Sequence, residues 1–194
     1  MDVLKRTREG CFLDAGEAEQ VVQRVKAGDQ QAYAELIRAY EKQMYTYCYG
    51  ILSNREEAED ALQNIFITVY QNIGQYQAGT SFTSWLYKVA YHHSIDLIRK
   101  RKRWIRLIAS WKEHQQQSPQ PHETTLDELL MHLTAQERNL VMLKVVQQYS
   151  FEEIGQIMDM KPATLRKKYE RLRKKLVQHN KTRRGLSHDE SYAK

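Results

Sequence analysis

The sequence predicts an all-α fold of two small helical domains, a helical bundle and a C-terminal helix-turn-helix, joined by a flexible linker. Apolar residues recur at helical spacing in two blocks, and neither block alternates with the period of two that marks a half-buried strand. The run QQQSPQPHETT, which holds two of the three prolines, separates the blocks. A chain of 194 residues is long enough for two such domains. We expect an N-terminal extension at 1–20, a helical domain at 21–104, a linker at 105–125, a helix-turn-helix domain at 126–180 and a flexible basic tail at 181–194.

In the first domain, a break at Gly28-Asp29 divides a short helix from a long one. Ser53 or Asn54 can cap the next helix, and acidic residues in its first turn favour the positive end of the helix dipole. A glycine-bounded stretch then interrupts the period and predicts a loop. We expect the later helices of this domain at 55–73 and 82–103, with the loop at 74–81.

The second domain opens with apolar residues at Leu126, Leu129, Leu130 and Leu133. Two capping-box pairs, Thr134 with Glu137 and Ser150 with Glu153, then predict two helix starts. Pro162 stands where the first position of a last helix would fall. We expect helices at 134–147, 150–158 and 162–178, the last two forming a helix-turn-helix.

Positive charge is concentrated in two windows, although the net charge is only +6. Residues 99–106 hold six basic side chains and no acid, and residues 161–184 hold eleven and one acid. Because the rest of the chain is acidic, the two patches predict two contacts with a polyanion.

The last helix is the first candidate site, since a helix-turn-helix places this helix in the major groove. Its basic side chains can donate to guanine, and threonine can contact thymine. The alternative is an ordinary solvated cationic face. The candidate DNA-binding residues are Lys161, Thr164, Arg166, Lys167, Lys168, Arg171 and Lys174.

The second candidate site lies in the first domain, where aromatic residues precede the basic window. Bases can stack on aromatic rings beside a cationic track, which is what a single-strand binder needs. The alternative for Phe82, Trp85 and Leu86 is that they are core. We expect function in the loop 75–81 and at exposed positions including Tyr87. The candidate residues are Tyr76, Gln77, Ser81, Tyr87, His92, Asp96, Arg99, Lys100 and Arg103.

The outer face of helix 55–73 carries Glu56, Glu57, Asp60, Gln63 and Asn64. This face could dock a basic partner, but solvated polarity is the interpretation that physics alone favours.

Several classes of function lack support in the sequence. It contains no GxGxxG or GxxxxGK[ST] phosphate loop, no HExxH and no GxSxG, so we expect neither an enzyme nor a bound cofactor. Cys11 and Cys48 have no metal-ligand spacing, and we expect no metal site. No apolar run is long enough to span a membrane and no secretory signal is evident, so a cytoplasmic location is expected.

Two runs carry a resemblance to a known family. EEAEDALQNIFITVYQNIGQYQAGTSFTSWLYKVAYHHSIDLIRKRKR resembles the promoter-melting domain of bacterial sigma factors of the extracytoplasmic-function group. LTAQERNLVMLKVVQQYSFEEIGQIMDMKPATLRKKYERLRKKL looks like their C-terminal helix-turn-helix domain. The resemblance runs from about Val21 to Val177, with both blocks in the family's order.

The resemblance implies a transcription initiation factor. Helix 162–178 would read the −35 element as duplex, and loop 75–81 with helix 82–103 would open the −10 element and capture a base of the melted non-template strand. The residues Glu57, Asp60, Gln63 and Asn64 would bind the β′ clamp of core RNA polymerase. The β flap and a membrane-bound anti-sigma factor would be further partners, without insertion of the chain into the membrane. The alternative is a helix-turn-helix regulator that is not a polymerase subunit.

Overall fold

The structure is a computed structural model that describes residues 13–77, 81–111 and 132–189, with side chains for all of these except 108–111 and 179–189. All regular structure within these residues is helical. A 3₁₀ turn, Ile73–Gln75, follows the third helix, and a π-helical segment, Met142–Val146, follows the fifth. The helices are α1 (Ala15–Lys26), α2 (Gln30–Leu52), α3 (Arg55–Asn72), α4 (Phe82–Trp111), α5 (Ala135–Val141), α6 (Phe151–Met158) and α7 (Pro162–Asp189).

Local capping fixes where most helices begin. The Asn54 side chain accepts a hydrogen bond from the Glu57 amide at 2.9 Å at the start of α3. Thr134 and Ser150 form the capping boxes that the sequence predicts for α5 and α6. These contacts satisfy amide groups that the first turn of a helix leaves unpaired.

Three helices extend beyond their expected bounds. α1 begins at Ala15, inside the predicted extension 1–20, because Asp14 and Glu17 form a capping box there. α4 continues to Trp111, into the predicted linker 105–125, and α7 continues to Asp189, into the predicted tail 181–194. Neither extension contains a proline, and arginine, lysine and leucine favour helix. The predictions for Cys11, loop residues 78–80, linker residues 112–125 and Leu126–Leu130 lie outside the described residues.

The first four helices form one bundle, whose core is built on α2. Large side chains of α2 such as Leu36, Tyr40, Met44 and Ile51 are almost fully buried. α1 and α3 pack against α2, and α4 packs against α2 and α3. We call residues 15–111 the first bundle.

Helices α5–α7, which we call the second bundle, pack against the first bundle through α5 and α6. The buried residues Leu140, Met142, Leu143, Ile154 and Ile157 belong to the same apolar cluster as the core of the first bundle. Gly50 of α2 permits close approach, since a Cβ atom there would lie 2.5 Å from the Met142 sulfur. In this conformation the two bundles therefore share a continuous core.

Candidate nucleic-acid interface

The predicted recognition helix presents its basic side chains to solvent. Leu165 and Leu172 are buried and orient α7 against the rest of the second bundle. Arg166 pairs with Glu152, and Lys168 donates to Gln136 at 3.0 Å. Lys168 is half-buried, whereas six of the predicted residues are exposed: Lys161, Thr164, Arg166, Lys167, Arg171 and Lys174.

A tight turn sets the angle between α6 and α7. Asp159 ends α6 in the left-handed conformation, with φ of 52°. The Met160 amide then donates to the Gly155 carbonyl at 3.0 Å. Only glycine fits at 155, because a Cβ atom there would lie 2.7 Å from the Met160 carbonyl oxygen. The turn thus places α7 so that most of its polar face is exposed to solvent.

Tyr76, predicted as a stacking residue, is buried in this conformation. Its ring packs against Phe82 and Trp85, with centroids 5.7 and 5.6 Å away. Its hydroxyl donates to Glu19 at 2.8 Å, and its carbonyl accepts from Lys26 at 2.5 Å. Burial raises the pKa of the Tyr76 hydroxyl. The ring therefore anchors the loop to α1 and is not available to a base.

Gln77 and Ser81, the other predicted loop residues, are exposed on either side of the segment that is not described. Half-buried Trp85 packs against the apolar core, which agrees with its alternative assignment as a core residue.

The expectation that Tyr87 is exposed is wrong, because its exposed fraction is 0%. The ring lies between Tyr47 of α2 and Tyr149 of the second bundle, with centroids 5.1 and 5.4 Å away. Burial raises the pKa of Tyr87. The residue is covered because α4 is packed on two sides, by α2 and by the second bundle.

The remaining predicted residues of α4 are exposed: His92, Asp96, Arg99, Lys100 and Arg103. Arg99 pairs with Asp96 at 3.4 Å, within the helix. Arg101 pairs with Glu57 of α3 at 3.3 Å and so joins the basic end of α4 to the acidic face. Both pairs are exposed and weak, which leaves this end of α4 cationic.

Lys88, which no sequence pattern singles out, forms a contact between the bundles together with His92. The Lys88 ammonium lies 2.6 Å from one carboxylate oxygen of Asp159, and the His92 Nε2 lies 3.1 Å from the other. The hydrogen bond from Lys88 is the main cause of the lowered pKa of Asp159. No local sequence signal could identify this contact, since it joins α4 to the turn before α7.

Buried polar contacts fix the same interface. The Tyr47 hydroxyl donates to the Asn139 side-chain oxygen, and both residues are fully buried. Arg138 donates to the Ile51 carbonyl at 2.7 Å, at the end of α2. Because these donors and acceptors are specific, they select one docking geometry from those that apolar contact alone would allow.

The acidic face of α3 is exposed at Asp60, Gln63 and Asn64, whereas Glu57 is half-buried. Beside it, α2 and α3 form an open groove of about 740 Å³ that is mostly apolar. Ile67 and Tyr70 line this groove with 54% and 46% of their surface exposed. The helical period of α3 does not predict that these two large apolar side chains are exposed.

Neither a metal centre nor a membrane span is found in the part of the chain that the structure describes. Among residues 13–77, 81–111 and 132–189, no group of three or more histidine, cysteine or carboxylate side chains is placed to hold a metal ion. Within the same residues, no helix has the length and apolar character needed to cross a membrane.

The chain matches two family models in succession. Residues 36–116 match sigma-70 region 2, and residues 124–176 match sigma-70, region 4. It is 30% identical over 172 residues to the ECF RNA polymerase sigma factor SigW of Bacillus subtilis, covering 80% of this chain and 92% of that one.

Two solved structures have a similar fold at 17% sequence identity. One is of CnrH in complex with the cytosolic domain of CnrY, with a TM-score of 0.67 over 87% of this chain and 99% of that chain. The other is of the sigma factor RpoE in complex with the anti-sigma factor NepR from Bartonella quintana, with a TM-score of 0.64 over 77% of this chain and 96% of that chain.

Proposed function

Because the chain belongs to the extracytoplasmic-function group of the sigma-70 family, we propose that its two basic surfaces divide promoter recognition between them. A sigma factor binds core RNA polymerase and directs it to promoter DNA. In this proposal, α7 reads the −35 element and the surface of α4 opens the −10 element. The observation that supports the division is that the two basic surfaces lie on separate helical bundles, in the order of regions 2 and 4.

The −35 element is assigned to α7 because its exposed basic face is long enough to contact bases and phosphates together. Lys161, Thr164 and Lys167 lie near the start of the helix, where base edges are reached, and Arg171 and Lys174 lie further along it. Phosphate contacts set the register, while the first turns supply the base contacts.

The −10 element is assigned to the exposed part of the first bundle. Gln77 and Ser81 flank the loop segment that would hold an extruded base, and Arg99, Lys100 and Arg103 would attract the phosphates of the open strand. Tyr76 then anchors the start of the loop to α1 through Glu19 and Lys26. Tyr87 could contact DNA only after the second bundle has moved away from α4.

The polymerase is assigned to the outer face of α3, with Glu57, Asp60, Gln63 and Asn64 as the polar contacts to the β′ clamp. Gln63 also lines the groove that contains Ile67 and Tyr70, so a helix docked on the polar residues would also cover apolar surface. Burial of that apolar surface would supply much of the affinity. In this proposal the second bundle meets the β flap.

In the same proposal, the domains are 21–104 and 126–180, with a linker between them. The protein acts in the cytoplasm, at the nucleoid, and its contribution to melting is binding energy and not catalysis. A structural neighbour in complex with an anti-sigma factor supports an anti-sigma partner, which would hold the protein at the inner membrane face.

The function is tested by mixing the purified chain with core RNA polymerase that lacks a sigma factor. We expect co-elution on gel filtration and run-off transcription from promoters that the holoenzyme selects from random DNA. A double substitution of Asp60→Ala and Gln63→Ala should weaken co-elution, whereas Lys42→Ala on the exposed part of α2 should not. A chain that binds duplex DNA but never joins core polymerase would instead be a helix-turn-helix regulator.

A further inference from the structure

The second bundle places a carboxylate on the helix that the proposed function assigns to DNA. Asp159 lies in the turn between α6 and α7, and its two carboxylate oxygens meet two different side chains of α4, Lys88 and His92. The carboxylate is about half exposed, with 54% of the side chain accessible, so it lies at the rim of the interface and not in its core. Lys88 and His92 each contact one of the two carboxylate oxygens, and the two non-bridging oxygens of a backbone phosphate offer two acceptors to the same pair of side chains.

Lys88 and His92 belong to the same stripe of α4 as the predicted DNA contacts. Residues four apart on a helix share a face, so Lys88, His92 and Asp96 line up, and Arg99 and Arg103 continue the line toward the basic end of α4. The far end of this stripe is open to solvent, and the near end is occupied by Asp159. A DNA strand that followed the stripe from Arg103 and Arg99 past His92 would then reach Lys88.

The arrangement in which the two bundles share one core, which we call the closed form, cannot bind the −10 and −35 elements at the same time. Sites centred at −10 and −35 are separated by about 25 base pairs, or about 85 Å at 3.4 Å per base pair. α4, with its 30 residues, is only about 45 Å long. Asp159 contacts α4, and α7 begins only three residues after Asp159, so the start of α7 lies close to α4. The two bundles, which share one apolar core, must therefore separate before α4 and α7 can bind the two elements together.

We propose that Lys88 is a further phosphate-binding residue of the melting surface, and that the Asp159 carboxylate occupies its phosphate position while the bundles are closed. The second bundle then competes with the open strand for α4. This proposal rests on the proposed function, because it takes the α4 stripe to be a DNA contact. It adds a residue to that surface and predicts that contact between the bundles weakens the binding of DNA to the free protein.

The experiment compares Asp159→Asn with a charge-matched control. Asparagine accepts the left-handed conformation that Asp159 adopts, and Asp159→Gly provides a second variant for the same backbone. The control is Glu35→Gln, which removes an exposed carboxylate that pairs with Arg24 between α1 and α2. Both exchanges raise the net charge by one, so any general increase in DNA attraction is common to them.

The probe is a fluorescein-labelled oligothymidylate of 20 nucleotides, titrated with the full chain in the absence of polymerase. We expect Asp159→Asn and Asp159→Gly to tighten binding about three- to tenfold and Glu35→Gln to change it less than twofold. The slope of log K against log salt should steepen by about 0.7 for each additional phosphate that the protein neutralises. Lys88→Gln should cancel the tightening when it is combined with Asp159→Asn, and should have little effect in the otherwise unchanged chain.

The outcome separates this inference from the function beneath it. If Asp159→Asn tightens binding no more than Glu35→Gln, or if the tightening persists when Lys88→Gln is added, the competition is refuted even though the unchanged chain transcribes with core polymerase. If the unchanged chain does not join core polymerase, the proposed function fails, whatever the oligothymidylate titration gives.

Discussion

The two basic surfaces differ in how much of each is open to solvent. The face of α7 is exposed almost throughout, from Lys161 to Lys174. On α4 the exposed residues are His92, Asp96 and the basic end, while Tyr87 is buried against Tyr149 and Lys88 is engaged by Asp159. In this conformation, therefore, the surface that we propose binds duplex DNA is accessible, and the surface that we propose binds the melted strand is partly covered by the second bundle.

The largest effect is expected from the open surface. Lys167→Ala combined with Arg171→Ala should remove two contacts to −35 DNA, each worth about 1–3 kcal/mol where it is made to a base. We expect run-off transcription by the holoenzyme to fall by roughly 30-fold or more. Arg38→Ala together with Lys42→Ala, on the exposed part of α2, serves as the charge-matched control. An equal loss in that control would mean that α7 contributes only general charge.

The turn between α6 and α7, which contacts α4 through Asp159, should be destabilised by the addition of a single methyl group. Gly155→Ala brings a Cβ atom against the Met160 carbonyl oxygen, and the backbone must shift to relieve the contact. We expect a loss of about 1–3 kcal/mol in the free energy of unfolding, measured by urea denaturation. Gly74→Ala is the control, because no atom lies within 4 Å of a Cβ atom there. Similar losses in both variants would contradict a specific steric role for position 155.

The contact between the two bundles can be weakened without a substitution in either proposed DNA-binding surface. Tyr47→Phe leaves the buried Asn139 oxygen without the donor it has in the closed form, which costs about 1–2 kcal/mol. Because the cost arises between the bundles, X-ray scattering should detect a larger radius of gyration. Tyr40→Phe, whose hydroxyl contacts Thr83 inside the first bundle at 3.1 Å, should destabilise the protein without this expansion. Expansion in both variants, or in neither, would argue against Tyr47 as a fastener of the interface.

Local signals predict most of the fold, and long-range contacts account for what those signals miss. The capping pairs at Thr134 and Ser150 predict the starts of α5 and α6, because a cap depends only on residues within one turn. The helical period of α4 predicts an exposed Tyr87 because it describes one buried face, whereas the second bundle creates another. Lys88 escapes prediction for the same reason, since its partner Asp159 is 71 residues away.

The smallest effect is expected at Cys48. The reactivity of this thiol reports how well the core of the first bundle is shielded from solvent. The thiol is fully buried in α2, and burial raises its pKa to about 12. Since only the thiolate reacts with iodoacetamide, the native chain should be labelled at Cys48 far more slowly than the unfolded chain at about pH 7.5. A Cys11→Ser background leaves Cys48 as the single thiol. Labelling as fast as that of the unfolded chain would contradict the burial.

The same shift gives a sign to the dependence of stability on pH. The unfolded thiol loses its proton near pH 9, its ordinary value, whereas the folded thiol keeps it to about pH 12. The folded state then binds more protons than the unfolded state, so the contribution of Cys48 to stability is complete below pH 9 and is lost as the pH rises toward 12. Cys48→Ala should remove this part of the decline in urea midpoint above pH 9. Because Tyr47 and Tyr87, both in contact with the second bundle, are buried beside this thiol, faster labelling in Tyr47→Phe would indicate that separation of the bundles also loosens the core beneath them.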